Sequence, residues 1–129
     1  AAQQRRLFSA IVVVCGYAGR GRSEVTRRLV ADGTSTAIYH AKDDSIIPVG
    51  QALGLAASFK QEHLNHTISS LRLVIYKNAP GPPMPEFSQM IGHGAYELAF
   101  RDDGLYTWLL SKSCARCTAD SAAWMPLLE

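Results

Sequence analysis

At 129 residues, with 47% apolar and 19% charged side chains and a net charge of +2, the chain suits one domain with a sizeable core and excludes a disordered polyelectrolyte. Its basic side chains Arg5, Arg6, Arg20, Arg22, Arg27 and Arg28 are too dilute, and too poor in interleaved aromatics, for a nucleic-acid stripe. No apolar run reaches the roughly 18–20 residues of a membrane span and "AAQQRRLFSA" lacks the apolar core of a signal peptide, so neither nucleic acid nor membrane is an expected partner.

In chain order, "FSAIVVVC" is a β-branched run closed by Gly16 and reads as a buried strand. The glycine-rich "GYAGRGR" follows, and "SEVTRRLVADG" reads as a short helix with Ser23 as N-cap and Gly33 as its stop. "TAIYHA" is a second strand, running into "KDDSIIPV". After the turn at Pro48, "GQALGLAASFKQEH" has a helical pattern that sets Leu53, Ala56, Ala57 and Lys60 on one side. "LRLVIYKN" is a third strand, and the proline-rich "APGPPMPEFSQM" is loop. "AYELAFRDDGLYTWLL" has helical spacing broken by Gly104, with Tyr106, Trp108 and Leu109 as the buried face of a closing helix. Residues 114–129 show no period and read as a tail to a domain spanning 1–113. Strands alternating with helices predict an α/β fold, a parallel sheet flanked by helices.

The chain has three cysteines: Cys15 sits in an apolar strand, and Cys114 and Cys117 form a lone "CARC". Free cysteines and the absence of a signal peptide favour a cytoplasmic location. A structural zinc site needs about four ligands, and no second Cys or His pair stands at finger-like spacing. His63 and His66 are two ligands without a third. No metal is therefore expected. Asp43, Asp44 and His93 all fall at or beyond predicted strand ends, where side chains of open parallel sheets gather. An imidazole acts as a general base when a carboxylate on its other nitrogen fixes its tautomer and stabilises the imidazolium. A solvated aspartate turn and an unrelated surface histidine are the plain alternative.

The strings "FSAIVVVCG", "TAIYHAKDDSIIPV", "QALGLAAS", "LRLVIY" and "GHGAYELAFRDDGLYTWLLS" resemble, in that order, the C-terminal half of an α/β-hydrolase. The group concerned comprises carboxylesterases, feruloyl-esterase-like enzymes and predicted peptidases. In that group a His, a small residue, two variable residues and the catalytic Asp precede an apolar pair and Pro. Here these are His40, Ala41, Asp44, Ile46, Ile47 and Pro48, so the resemblance selects Asp44 over Asp43 as the acid. The group's catalytic His stands in a Gly-His segment before an aromatic residue and a helix ending in "WLL", which corresponds to Gly92, His93, Tyr96 and Trp108 to Leu110. The resemblance implies a serine-type carboxylic ester hydrolase acting through an acyl-enzyme on a small-molecule ester, with Asp44 and His93 as catalytic acid and base. It implies no cofactor, and for His40 it implies a role in orienting the acid loop. Nothing in these residues speaks for peptide substrates.

The nucleophile elbow G-x-S-x-G is absent from the 129 residues. The nearest string, "GRSEV", has Val25 where the second glycine belongs. The resemblance places the elbow and the oxyanion segment upstream of Ala1, so the chain alone is expected to be inactive. A second departure is the segment 77–91, "KNAPGPPMPEFSQMI", where the group has a short turn; it is expected to form a wall or lid beside His93, or else a neutral surface insertion. Two other readings stay open. One is a dinucleotide-binding fold, from Gly16, Gly19 and Gly21 followed by Asp43 and Asp44 after the second strand. The other is a non-catalytic half-domain that acts by protein interaction and self-associates through an exposed strand edge.

Overall fold

In the computed structural model, which describes residues 8–63 and 69–112, strands β1 (Ala10–Val14), β2 (Ser35–Ala41) and β3 (Leu71–Tyr76) form a parallel sheet in the order β1-β2-β3. Val13 lies beside Ile38 and Ile38 beside Leu73; Val14 lies beside Tyr39 and Tyr39 beside Val74. Every residue of β2 is buried, whereas β1 and β3 are half-buried throughout. The difference follows from position, because the central strand has a neighbour on each side and helices on both faces. The expectation of a buried first strand is corrected accordingly: β1 is a half-buried edge strand among the described residues.

Successive strand residues point to opposite faces, and the two faces have separate cores. On one, helices α1 (Arg22–Ala31) and α2 (Gly50–His63) bring Val30, Leu55, Ala56 and Phe59 onto Ile38, with Val13, Leu73 and Ile75 around them. On the other, α3 (Ala95–Ala99) and α4 (Asp103–Leu110) bring Ala99 and Leu105 onto Ala37 and Tyr39, with Val12, Val74, Trp108 and Leu109 around them. The result is the parallel sheet flanked by helices that the alternation of elements predicts. None of these helices is long and apolar enough to cross a membrane.

The helix ends show where local sequence decides. Gly33 has φ +72°; its N–H donates to the Val30 carbonyl and the Thr34 N–H to the Leu29 carbonyl, the paired closure that a left-handed residue makes possible. The start of α1 differs from expectation. A 3-10 turn over Gly19–Gly21 runs straight into the helix, Gly21 takes the cap position, and Ser23 lies inside the first turn with no capping bond. In α2 the bounds match the sequence pattern but the face does not: Ala52, Leu55, Ala56 and Phe59 are buried, while Leu53, Ala57 and Lys60 are exposed. Apolar residues lie on both sides of this helix, so periodicity alone selects the wrong stripe. In the closing segment the break falls at Phe100–Asp102 rather than at Gly104. Asp102 caps α4 by accepting from the Gly104 N–H at 2.9 Å, so Gly104 belongs to the helix. Leu105 is the fully buried residue of α4, Trp108 and Leu109 pack beside it, and Tyr106 is exposed.

Asp102 also ties this helix to the sheet. Its Oδ2 accepts from the Tyr39 hydroxyl at 3.0 Å and from Arg72 Nη2 at 3.1 Å, and Arg72 Nε donates to the same hydroxyl at 3.0 Å. β2, β3 and α4 thus meet in one polar knot. The basic residues of α1 are engaged locally: Arg27 and Arg28 both reach Glu24, and Arg22 donates to Gln51.

Phe59→Ala removes a fully buried ring and is expected to lower the unfolding free energy by about 3–5 kcal/mol. Leu53→Ala, on the exposed side of the same helix, is expected to change it by less than about 1 kcal/mol. Urea denaturation of the two variants beside the parent chain checks the assignment of faces.

Candidate active site

Beyond Ala41 the β2 backbone turns, and the two adjacent aspartates part company. Asp43 faces the 78–79 loop: its Oδ1 accepts from the Ala79 N–H at 3.1 Å and its Oδ2 from Asn78 Nδ2 at 3.3 Å. Asp44 faces inward, with its side chain fully buried. Its Oδ1 accepts from the N–H groups of Ile46 and Ile47 at 2.8 and 2.9 Å, a local closure that only a short acceptor side chain makes.

His93 reaches this carboxylate from the loop that joins β3 to α3. Its Nδ1 stands 3.1 Å from Oδ2 and 3.2 Å from Oδ1 of Asp44. An ionised carboxylate only accepts, so Nδ1 carries the hydrogen, and in the neutral tautomer Nε2 holds the lone pair. The His93 side chain is 27% exposed where that of Asp44 is 0% exposed, so solvent reaches the histidine and not the carboxylate. Two glycines make the approach possible. Gly92 has φ +81°, and a Cβ there would collide with the Asp43–Asp44 backbone; a Cβ on Gly94 would collide with the carbonyls of Pro80 and Gly81. The Gly92 and Gly94 N–H groups donate to the Ala79 and Pro80 carbonyls, which fasten the histidine loop to the proline-rich segment.

His40 is buried beneath the acid loop. Its Nε2 lies 2.7 Å from the Ile47 carbonyl oxygen and 3.3 Å from Asp44 Oδ2. Both neighbours are acceptors, so Nε2 carries the hydrogen. The ring thereby braces the turn that holds Asp44, while its Nδ1 finds no partner among the described residues. Burial by itself would raise the Asp44 carboxyl, but the Ile47 and Ile46 N–H groups, together with His93, outweigh it and hold the acid below the usual aspartate range.

Cys15 is the residue that sequence reasoning passed over. It ends β1 with φ +49°, and its N–H extends the sheet by donating to the Tyr39 carbonyl at 3.0 Å. Its thiol donates to the His93 backbone carbonyl at 3.4 Å. Burial first, and the nearby Asp44 charge second, push the thiol pKa up to about 11. The thiol therefore stays protonated, the opposite of what a cysteine nucleophile requires. The strand register that sets Val14 beside Tyr39 is what brings it here, and a linear sequence carries no sign of that register.

The remaining candidates lie apart from this group. His63 Nε2 is 2.8 Å from Ser69 Oγ, and His66, Cys114 and Cys117 lie outside the described residues, as does the 114–129 tail. Ser23 lines an open groove of about 290 Å³ between α1 and α2 with Thr26, Ala57, Ser58, Gln61 and Glu62; neither Asp44 nor His93 borders it.

A thermostable esterase of known crystal structure is similar to this chain, with a TM-score of 0.58 and 20% identity over 83% of this chain and 25% of the esterase. Over the matched part the chain shares the α/β fold of that structure. It spans about a quarter of the length of that esterase. No family model and no curated protein matches the sequence.

Two outcomes test this geometry. Because the Asp44 carboxyl is held below its unfolded range, the unfolded state binds the proton first as the pH falls; the stability from Asp44 is present above about pH 4 and is lost as pH drops through the folded value. Asp44→Asn should flatten the acid limb of a stability profile measured by urea unfolding between neutral pH and about pH 3. Gly92→Ala should lower stability by about 1–3 kcal/mol or more, through left-handed strain and backbone collision, whereas alanine at the open Gly50 position should cost no more than a few tenths of a kcal/mol.

Proposed function

We propose that the chain is the acid-base portion of a serine-type carboxylic ester hydrolase. The observation that carries this reading is the contact of His93 Nδ1 with a fully buried Asp44 carboxylate at 3.1 Å, on a histidine whose side chain is 27% exposed. The esterase-like fold supports it.

In this reading a serine hydroxyl supplied by residues outside these 129 gives its proton to His93 Nε2 as its oxygen attacks the ester carbonyl. Asp44 keeps the hydrogen on Nδ1 and stabilises the imidazolium that forms. His93 then returns the proton to the departing alcohol, and an acyl-enzyme remains. Water, deprotonated by the same nitrogen, releases the acid. The oxyanion donors likewise come from outside these residues. His40 acts through Asp44 and is a positioning residue.

The segment 77–91 suits the role of a wall beside this pair. It is bonded to Asp43 through Asn78 and Ala79, and Ser45 donates to the Ile91 carbonyl at 2.9 Å. Met84, Phe87 and Ile91 on it, and Ile46 on the acid loop, expose apolar surface suited to the acyl or alcohol group of an ester. A dinucleotide site fits less well, because the carboxylates it would use to bind ribose are engaged by Asn78, Ala79 and His93. The outer edge of β1, unpaired among the described residues, is proposed to take a further strand, either from the rest of such a hydrolase or from a second copy of the chain.

The coding sequence upstream of Ala1, expressed together with these residues, is the test. A G-x-S-x-G serine labelled by an organophosphate, with kcat/KM lowered about 10,000-fold by His93→Gln and to a similar degree by Asp44→Asn, is the expected outcome. A longer protein that takes no label, or that is labelled and keeps its activity after His93→Gln, would overturn the reading.

A further inference from the structure

We propose that Cys15, Asp44 and His93 form a binding site for a thiophilic divalent cation, with zinc as its type. The three come from different parts of the chain: the end of β1, the turn after β2 and the loop after β3. Among the described residues, the Cys15 sulfur, a carboxylate oxygen of Asp44 and a ring nitrogen of His93 all lie within 4.8 Å of one another. The inference stands on this geometry and does not rest on the ester-hydrolase reading.

Ideal tetrahedral zinc, with bonds of about 2.0–2.1 Å to nitrogen and oxygen, sets those two atoms roughly 3.3 Å apart. His93 Nδ1 and Asp44 Oδ2 are 3.1 Å apart, so this edge of the tetrahedron is already formed. The sulfur needs only to close on it. Its present bond to the His93 carbonyl, at 3.4 Å, already holds it on the same side of the loop. The left-handed backbone of Cys15, unusual for a residue other than glycine, turns it out of the strand at the sheet end where the other two ligands lie.

The donor set selects the metal. One sulfur, one imidazole nitrogen and one carboxylate suit zinc or a similarly borderline ion, while magnesium and calcium require oxygen throughout. A thiolate and a carboxylate together neutralise a doubly charged ion, so the half-buried site would hold no net charge. On binding, the Cys15 S–H bond breaks, its proton passes to solvent and a metal–sulfur bond forms. The His93 hydrogen moves from Nδ1 to Nε2, which frees the Nδ1 lone pair for the metal. Water fills the fourth position. The Ile46 and Ile47 N–H groups and His40 hold the carboxylate in the orientation the ion needs.

The test uses the 129-residue chain carrying Cys114→Ser and Cys117→Ser, so that the "CARC" pair does not compete. Titration with cobalt(II) should develop a sulfur-to-cobalt charge-transfer band in the near ultraviolet that saturates at one ion per chain. In the same background Cys15→Ser and His93→Gln should each weaken zinc binding, read by calorimetry, by at least about tenfold, since even loss of a residue that only supports a ligand costs 10–100-fold. The cobalt band reads sulfur ligation with Cys15 intact, so it decides the question even if a variant at that position fails to fold. A cobalt titration without the sulfur band, or zinc affinity unchanged in folded Cys15→Ser, would overturn the proposal.

Discussion

A carboxylate shut away from water organises the carboxyl end of this sheet. An isolated buried charge is expensive, and it persists only where donors replace the lost hydration. Asp44 receives two N–H groups from its own turn and one from His93, and His40 Nε2 stands at 3.3 Å. Each of these fixes something else. The two N–H groups set the path of residues 45–47, His40 binds that path to the strand beneath it, and His93 can reach the carboxylate only if its loop lies directly against the turn. The positive φ of Gly92 and the missing side chain of Gly94 follow from that last requirement.

The scaffold behind this group is asymmetric in a useful way. β2 carries both the acid turn and His40, and it is the strand held from every side. α3 follows His93 almost immediately, and the face it shares with α4 is pinned by Tyr39, Arg72 and Asp102. The histidine loop is therefore anchored at its far end to the same strand that supplies the acid. Its near end is bound to Asp43 through residues 78 and 79. His93 and Asp44 are thus both positioned by the rigid part of the fold, although both sit on loops.

Much of this was legible in the linear sequence, and the reasons differ by residue. The α/β order, Gly33 and the bounds of α2 follow from local chemistry: β-branched runs, a left-handed stop, helical spacing between breakers. Asp44 was distinguishable from Asp43 only through the resemblance of the run from His40 to Pro48 to the hydrolase pattern, and the structure shows two N–H groups directed at the Asp44 carboxylate. The face of α2 was not legible, because Leu53 and Leu55 are equally apolar and only contact with the sheet tells them apart. The cap at Asp102 was hidden by its twin Asp103. Cys15 was hidden more deeply, since its place beside His93 depends on how β1 is registered against β2 and on where a loop some eighty residues later returns.

Among the described residues β1 has no partner strand on its outer side, and this has a consequence of its own. The Cys15 N–H points toward β2, and in an extended strand successive amides alternate in direction, so those of Ile11 and Val13 point the same way and those of Val12 and Val14 point outward. In heavy water the strand should therefore be divided by parity, odd-numbered amides retaining their protons and even-numbered ones giving them up. Anything that adds a strand to this edge would protect the even-numbered set without changing the odd one, so four adjacent residues carry a built-in record of whether the sheet stands alone.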